Sequence, residues 1–388
     1  AIVWQQKKKQ IIGIFNEFIW LVYLCKFVPF KVRIDSLMFN KYFRNLIIFT
    51  TYLAAQQVEI ENIRPIAHLD LGNCNDVWGY TAPDGHEFAL VGHRTGTYIF
   101  DVSTNPHNPI EVGFIPGTIS TWRDLKTHGY YCYVVNESGG GMDIISLEDP
   151  FNPYKVGSYT SSTATAHNMF IADGYAYLVG SAGGAGGTSS WQGIIILELS
   201  DPENPTEVSR WEETYIHDIY VKNDTAYACD IYNGSLFIID VSDKTNPQLI
   251  TQWPGVPSAH SCWVSEDGNT VFTGSETTGG YIMAWDVSDL GNINLIDEWM
   301  PDGGQNWSAH NVFVKGDYLY ISYYVYGLQI LDISDPHNIF SAGFYDTYPE
   351  EEGGYVYSGV WGAFPYFNSN KIVMTDRVNG LYVLEHTT

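Results

Sequence analysis

One short pattern, an apolar strand-like run followed by a turn of Asp, Pro and Asn, returns along most of this 388-residue chain. It is clearest in "GLQILDISDPHNI", which begins at Gly327, and a shortened copy, "GLYVLEHTT", stands at the end of the sequence. Seven equivalent positions, 42 to 53 residues apart, mark the copies: Asp101, Ser146, Glu198, Asp240, Asp286, Asp332 and Glu385. Repeats at such a period indicate a chain built from stacked units, which restricts the fold more than any single motif does.

The sequence of each repeat predicts four β-strands. In the unit that begins near residue 310 the runs are "HNVFVKG", "DYLYISYY", "LQILDIS" and "FSAGFYD". Apolar and polar residues alternate within them, and Gly, Asn, Asp and Pro bound them, which indicates strands. The Asp-Pro-x-Asn turn ends the third strand because Pro cannot donate to a ladder and Asp and Asn bond their own backbone. Four strands in about 45 residues are typical of a β-propeller blade.

We therefore predict an all-β fold, a seven-bladed β-propeller of four-stranded blades, over residues 58–388. The last unit stops after its third strand, near Glu385, whereas "ENIRPIAHLDLG" from Glu61 matches the fourth-strand segment "ENPTEVSRWEE" from Glu203. We expect this N-terminal strand to join the last blade and close the ring, because closure removes exposed sheet edges. A stacked solenoid is the alternative, but it does not require one unit to be divided in this way.

Charge separates the first 57 residues from the repeats. Residues 1–57 contain eight Lys and Arg against two acids, and the rest of the chain contains eleven against forty-two, for a net charge of −25. A body this acidic repels phosphates, so we expect no nucleic-acid partner.

The basic N-terminal region contains a predicted export signal. Residues 38–55 have a basic start, an apolar run and the small residues Ala54 and Ala55, which is the layout of a secretory signal peptide. A buried helix or strand is the alternative. For residues 1–37 we favour Met38 as the true start over an additional membrane-proximal segment, since the apolar run there contains Glu17 and is shorter than the ~20 residues of a spanning helix. We expect a secreted monomer with no transmembrane anchor in the mature chain.

Four cysteines lie in the repeat region: Cys74, Cys132, Cys229 and Cys262. Their spacing matches no zinc motif. We expect them to be small buried apolar residues, and the sequence leaves a disulfide open.

The runs "LQILDIS" and "LFIIDVS", with their turns, resemble LVIVD repeats. The ordered segments "TWRDLKTHGYYCYVV", "TAHNMFIADGYAYLVGS", "SAHNVFVKGDYLYISYYVYGLQILDISDPHN" and "SGVWGAFPYFNSNKIVMTDRVNGLYVLE" resemble the choice-of-anchor B family over about residues 60–386. The resemblance implies a bacterial β-propeller that is secreted or displayed on the cell surface, often with a C-terminal anchor. This sequence departs from that pattern because it stops at Thr388 without a sorting domain. The family implies no established activity.

Four of the eleven histidines recur at one position, the start of the first strand in four consecutive units: His167, His217, His260 and His310. First strands line a propeller channel, so these imidazoles should meet at one mouth, with Asp124 and Asp218 beside them. Neutral imidazoles are good ligands for Zn, Cu, Mn or Ni, and carboxylates can orient them. The alternative is structural, in which each repeated His and Asp bonds across its blade to fix the sheet. The residues alone leave both open.

Loops between second and third strands should surround the same mouth. They supply the candidate ligand-binding residues Arg94, Trp191, Asp230, Tyr232, Glu276 and Arg377. Aromatic and acidic loops suit the capture of a glycan or a peptide. The acidic run Glu350–Glu352 could bind Ca²⁺, although it lacks the spaced pattern of a dedicated calcium loop.

The sequence leaves two candidate functions. The favoured one is a binding scaffold that holds a glycan, peptide or cell-envelope component at the channel mouth. The alternative is a metal-dependent hydrolase, lyase or oxidase that uses the histidine ring and a divalent ion (Ca, Zn, Mn or Cu). No phosphate-binding loop supports another class, since "SAGGAGG" is not followed by Lys and Ser or Thr, and no Gly-x-Ser-x-Gly elbow occurs.

Overall fold

The computed structural model of the chain describes residues 60–181, 193–347 and 356–387. These residues form 29 β-strands and one 3-10 helix, Gly304–Asn306, and the strands make seven antiparallel sheets. Each sheet is one blade, and the prediction of a seven-bladed β-propeller is confirmed.

The strands follow one another in chain order from blade to blade. The N-terminal strands are β1 (Ile60–Glu61) and β2 (Ile63–Leu69). Blade 1 contains β3 (Cys74–Thr81), β4 (Glu87–His93), β5 (Gly96–Asp101) and β6 (Ile110–Pro116). Blade 2 contains β7 (Arg123–His128), β8 (Tyr131–Asn136), β9 (Met142–Ser146) and β10 (Tyr154–Tyr159). Blade 3 contains β11 (Asn168–Ala172), β12 (Tyr175–Val179), β13 (Ile194–Glu198) and β14 (Thr206–Trp211). Blade 4 contains β15 (Asp218–Lys222), β16 (Thr225–Asp230), β17 (Ser235–Asp240) and β18 (Gln248–Pro254). Blade 5 contains β19 (Ala259–Val264), β20 (Thr270–Ser275), β21 (Ile282–Asp286) and β22 (Asn294–Trp299). Blade 6 contains β23 (Val312–Lys315), β24 (Tyr318–Ser322), β25 (Leu328–Asp332) and β26 (Phe340–Tyr345). Blade 7 contains β27 (Val360–Phe364), β28 (Lys371–Asp376) and β29 (Gly380–His386).

The two ends of the propeller meet in blade 7. Strand β2 pairs antiparallel with β29, with Ala67 opposite Val383, and supplies the fourth strand that this blade lacks. The predicted ring closure is therefore confirmed. Blade 6 departs from the predicted four strands, because β1 pairs with β26 as a fifth strand. Asn62, with φ 52°, turns the chain between β1 and β2, and its side-chain amide donates to the carbonyl of Ala342 at 2.7 Å.

The apolar core lies between neighbouring blades. Tyr133 and Met142 of blade 2, for example, are buried in one cluster with Met169 and Leu178 of blade 3. A single blade cannot cover both faces of its own sheet, and packing around an axis buries both. In all seven blades the pairing of the fourth strand with the third contains one register shift, which increases the twist of the outer strand.

The residues that recur in the repeats have structural roles. The Asp332 carboxylate accepts hydrogen bonds from the backbone N–H and the hydroxyl of Ser334, at 2.9 and 2.6 Å, which closes the turn after the third strand. At the start of that strand Gly327 has φ 75°, and a Cβ there would lie 2.1 Å from the carbonyl oxygen of Tyr345. The repeated Gly and Asp-x-Ser therefore shape the two ends of the third strand of a blade.

The four cysteines of the propeller are free and buried. Their exposure is at most 4%, at Cys262, which confirms the prediction that they act as small apolar residues.

Several predictions concern residues outside the described ranges. They are the signal peptide at 38–55, the upstream segment 1–37, Trp191 and the acidic run Glu350–Glu352. These remain predictions. Among the described residues, no helix has the length and apolar character that a membrane span requires.

Candidate functional site

The first strands of the blades surround the central channel. Each one contacts the first strand of a neighbouring blade, in the order β27, β3, β7, β11, β15, β19 and β23. The loops after the second strands reach the same mouth at which the first strands begin: Glu276 follows β20 and lies beside His260, and Glu137 follows β8 and contacts His167. This is the arrangement that the repeat predicts.

The four recurring histidines form a continuous arc at this mouth. The ring centroids of His167 and His217 are 4.0 Å apart, those of His217 and His260 4.6 Å, and those of His260 and His310 4.3 Å. His260 and His310 are buried, and His167 and His217 are half-buried. Four consecutive blades thus bring one type of side chain to one place. We call these four residues the histidine arc.

Each imidazole of the arc has one nitrogen directed to a neighbouring group. Nδ1 of His167 donates to the carboxylate of Glu137 at 2.5 Å, and Nδ1 of His310 donates to the carbonyl oxygen of Trp361 at 2.6 Å. Nδ1 of His217 hydrogen-bonds the hydroxyl of Tyr215 at 3.2 Å. These contacts fix the orientation of the rings and leave the other nitrogen for a different partner.

Two nitrogens of the arc are buried without a hydrogen-bond partner in the described part of the protein. They are Nε2 of His217 and Nδ1 of His260. The other nitrogen of His260, Nε2, lies 3.6 Å from the Glu276 carboxylate. An unsatisfied buried polar atom costs about 1–3 kcal/mol, so a ligand atom that reached these two nitrogens would be stabilising.

The protonation of the arc follows from burial and from the acids beside it. Burial, together with the neighbouring imidazoles, lowers the pKa of His217 and of His310 well below 6.5, and burial lowers the pKa of His260 to about 4. Burial also opposes the charged form of His167, but the hydrogen bond and charge of Glu137 outweigh it and raise the pKa of His167. Three neutral rings and one ring bound to a carboxylate therefore face the mouth at pH 7.

The rim carries some of the predicted ligand-binding residues. Glu276 accepts a hydrogen bond from the Tyr324 hydroxyl at 2.5 Å, and the guanidinium of Arg377 lies 4.7 Å from the centroid of the Trp361 ring. Tyr232 is 68% exposed and packs against Tyr215 at a centroid distance of 5.0 Å. The side chain of Arg94 is exposed in the turn between β4 and β5.

Asp230 hydrogen-bonds to residues of the protein itself, whereas the sequence predicted a contact with a ligand. Its side chain is fully buried, and its carboxylate accepts hydrogen bonds from the Thr214 hydroxyl at 2.7 Å and from the Asn233 backbone and side chain at 3.0 and 2.7 Å. It shapes the turn between β16 and β17.

Asp124 and Asp218, predicted to accompany the histidines, bond to other groups deeper in the channel. Asp124 forms an ion pair with Lys126 at 2.6 Å and accepts from the backbone N–H of Met169 at 2.9 Å, and Asp218 accepts from its neighbour Ile219 at 2.7 Å. Burial raises the pKa of Asp218 to about 7, against the charge of Lys126. The structure thus does not support a role for these carboxylates in orienting the imidazoles.

Beyond this acidic layer, aromatic rings fill the channel. The Trp263 ring contacts rings from four other blades, Phe170, Tyr220, Phe313 and Tyr366, at centroid distances of 4.2–5.8 Å. The cavities that the described residues leave in the channel include ones of about 10 and 20 Å³, and the smaller of these lies beside His167, His260 and His310. A volume of this size is about that of one water molecule.

Four residues of the site were not predicted from the sequence: Glu137, Tyr215, Tyr324 and Trp361. A signal for Glu137 was available: it directly follows the second strand of blade 2, as Glu276 directly follows the second strand of blade 5. Tyr215 lies two residues before His217, in an irregular segment that no strand pattern orients.

Comparison with known proteins supports the same class of fold. Solved structures similar to this chain include the β-propeller domain of Cps50 (Swd1) from Myceliophteria thermophila, with 13% identity, a TM-score of 0.58, and 84% of this chain and 100% of that chain covered. A protein from Lactobacillus plantarum matches with 13% identity, a TM-score of 0.57, and coverage of 72% and 84%. A protein from Bacteroides uniformis described as a candidate 6-phosphogluconolactonase matches with 12% identity, a TM-score of 0.55, and coverage of 69% and 84%. At such identities these likenesses show the fold alone.

The fold and the site define a seven-bladed β-propeller with a histidine-lined channel mouth. Within it, residues 215–253 and 307–347, which correspond to blades 4 and 6, match the family model of the LVIVD repeat. The predicted LVIVD repeats are confirmed there. No curated protein matches the chain.

Proposed function

We propose that the protein is a binding propeller that holds its ligand at the channel mouth, above the histidine arc. The observation that carries this proposal is the position of Trp122. This side chain is 42% exposed, yet it lines the same small cavity as His167, His260 and Trp361. An indole that is accessible on one side and bordered by fixed polar groups offers both apolar contact area and orientation to a ligand.

The chemistry of the mouth favours a neutral or cationic ligand. Glu137 and Glu276 supply carboxylates there, and the acidic body of the protein repels polyanions. Sugars stack on exposed aromatic rings and hydrogen-bond to carboxylates, so a glycan, including one of the cell envelope, fits best; a peptide with aromatic or basic residues uses the same contacts. The predicted signal peptide and the resemblance to choice-of-anchor B proteins support a place outside the cell, secreted or at the surface.

Binding of the purified protein to an array of glycans and peptides, followed by calorimetry with the best ligand, tests this proposal. Trp122→Ala should weaken binding at least about tenfold, as expected for an aromatic anchor. Tyr130→Ala is the matched control, because Tyr130 is 47% exposed but lies in the turn between β7 and β8, at the other end of blade 2. Equal affinities of the two variants for the ligand would contradict the proposal.

The second candidate function is a metal-dependent enzyme. The buried nitrogens of His217 and His260 that have no protein partner favour it. A panel of ester, lactone and glycoside hydrolysis, with lyase and oxidase assays, tests it on the metal-loaded protein. A turnover that His217→Ala combined with His310→Ala abolishes, while the fold is kept, would favour the enzyme over the scaffold. A turnover that the double variant keeps would exclude the arc as its active site.

A further inference from the structure

The histidine arc divides into three potential metal ligands and one structural residue. We propose that His167, His217 and His260 together bind one divalent first-row transition-metal ion, with Zn²⁺ as the reference ion, and leave one coordination position open toward the mouth. This metal site goes beyond the proposed ligand binding, which does not require a metal. It would also be the metal centre that the second candidate function, a metal-dependent enzyme, needs.

The distances among the three imidazoles fit a metal site. One nitrogen from each of His167, His217 and His260 can be chosen so that all three lie within 4.8 Å of one another. In a tetrahedral zinc site with Zn–N bonds of about 2.0–2.1 Å the ligand nitrogens lie about 3.4 Å apart. The bound of 4.8 Å leaves at most about 1.4 Å by which any two ligand nitrogens would have to approach each other when a metal binds.

Each of the three rings has its second nitrogen near an orienting oxygen. Glu137 accepts from Nδ1 of His167, Tyr215 contacts Nδ1 of His217, and Glu276 lies near Nε2 of His260. This repeats the arrangement of metal-bound histidines, in which the non-ligating nitrogen contacts a carboxylate or another oxygen. The nitrogens that remain are Nε2 of His167, Nε2 of His217 and Nδ1 of His260, and the last two are the buried atoms without a partner.

His310 belongs to the arc but has a different role. Its Nδ1 donates to the carbonyl of Trp361, so it joins blade 6 to blade 7, whereas the structural interpretation of the repeated histidines predicted a bond within one blade. His260, Glu276 and His310 also form a group with ligand atoms within 4.8 Å of one another. This second group lacks His217, one of the two histidines that have a nitrogen without a partner, and Glu276 already accepts from Tyr324. The first group is therefore the better site.

The donor atoms select the class of metal. Imidazole nitrogens suit Zn²⁺, Cu²⁺, Ni²⁺ and Fe²⁺, whereas Ca²⁺ and Mg²⁺ require oxygen ligands. Three histidines with an open position are also the ligand set of catalytic zinc sites. Of the ions expected from the sequence, Zn and Cu fit this set and Ca does not.

The test is metal binding by the purified full chain after removal of metals with a chelator. The wild-type protein should take up one Zn²⁺ per chain by elemental analysis after dialysis, and calorimetry should give the same stoichiometry. His217→Ala and His260→Ala should each weaken Zn²⁺ binding at least about 100-fold, and Glu137→Gln about tenfold, through the orientation of His167. His337→Ala is the control, because His337 is exposed in the turn after β25, on the opposite side of the propeller.

Other outcomes overturn the assignment. The site is wrong if the wild-type chain retains no Zn²⁺, Cu²⁺ or Ni²⁺, or if His217→Ala combined with His260→Ala retains as much as His337→Ala. The ligand set is wrong if His310→Ala and Glu276→Gln abolish binding while His167→Ala and His217→Ala keep it. Circular dichroism shows whether each variant is folded, and His217→Asn and His260→Asn replace any alanine variant that is not. Glycan or peptide binding that persists without metal leaves the proposed ligand site intact, so the two proposals fail separately.

Discussion

Gly380, the first residue of β29, lies directly against the carbonyl oxygen of Leu69, the last residue of β2. A Cβ atom on Gly380 would be 2.2 Å from this oxygen, and the residue has φ 101°. The contact is the point at which the N-terminal strand enters the last blade, so it ties together the two ends of the ring.

Gly380→Ala should destabilise the propeller by about 2–4 kcal/mol, because the methyl group must displace the backbone of β2 in addition to straining its own. Gly85→Ala is the matched control: its φ is 91°, but a Cβ there would have no atom within 4 Å. This control should lose only about 1 kcal/mol, for the backbone strain alone. Urea unfolding measures both variants, and equal losses would contradict the assigned closure contact.

Lys126 and Asp124 form a buried ion pair in the channel, with side-chain exposures of 9% and 5%. Lys126→Met leaves this carboxylate buried without its cation and should cost about 3–5 kcal/mol. Lys155→Met breaks a pair with the buried Asp143, but Lys155 is 37% exposed and the Ser158 hydroxyl still donates to this carboxylate at 2.8 Å, so the loss should be smaller, about 1 kcal/mol. Adding Asp124→Asn to Lys126→Met should restore part of the loss. If the double variant is less stable than Lys126→Met, the buried charge is not the cause.

The raised pKa of Asp76 predicts that the folded protein loses stability at alkaline pH. Burial and the charge of Asp124 raise the pKa of this carboxyl to about 8, from 3.8 in the unfolded chain. Between these values the folded state holds a proton that the unfolded state has released, so the contribution of Asp76 to stability falls as the pH rises from about 4 through 8. Asp76→Asn cannot ionise, and its melting temperature relative to wild type should increase from pH 6 to pH 9. Asp84→Asn, at an exposed carboxylate, should show no such increase, and an equal increase in both would contradict the prediction.

The neutral histidines of the arc should lower the stability of the protein at acidic pH instead of alkaline pH. The pKa of His260 is lowered to about 4, and those of His217 and His310 are also lowered, so the unfolded chain binds protons at these residues before the folded one does. Stability in the absence of metal should therefore fall as the pH drops from about 6.5 toward 4. The Asn variants of these three histidines, taken together, should fall less steeply over the same range in thermal melts.

Metal binding should appear as added stability. An ion that binds only the folded protein contributes about 2.7 kcal/mol at a concentration of 100 times its Kd. Zn²⁺ should therefore raise the melting temperature of the wild-type protein at pH 7.5, and excess chelator should reverse the rise. His217→Ala should show little change with Zn²⁺. A rise of the same size in wild type and in His217→Ala would place the ion elsewhere.

The architecture was predictable because the sequence of a repeat marks its own strands and turns. The strand alternation recurs along the copies, and the Asp-x-Ser turn occurs in four of the seven. The match between the segments from Glu61 and Glu203 shows that one blade is divided between the two ends of the chain. The fifth strand of blade 6 was not predictable, because it depends on one turn at Asn62 and on a side-chain contact with a blade 280 residues away.

The candidate site was predictable in part for the same reason. Equivalent positions in a propeller converge, so four recurring histidines had to meet. The groups that orient them come from irregular segments before and after the strands, such as Tyr215 and Glu137, whose side-chain directions no periodic pattern determines. The turn contacts of Asp230 were not predictable, because an acidic residue in a loop has the same sequence pattern whether it faces a ligand or closes its own turn.

Diffraction data from crystals of the full chain grown with Zn²⁺, collected on both sides of the zinc absorption edge, test the central claim most directly. We expect one anomalous peak at the channel mouth, about 2.1 Å from a nitrogen of each of His167, His217 and His260. Zinc density found only at exposed positions such as His337, with none inside the arc, would contradict the account.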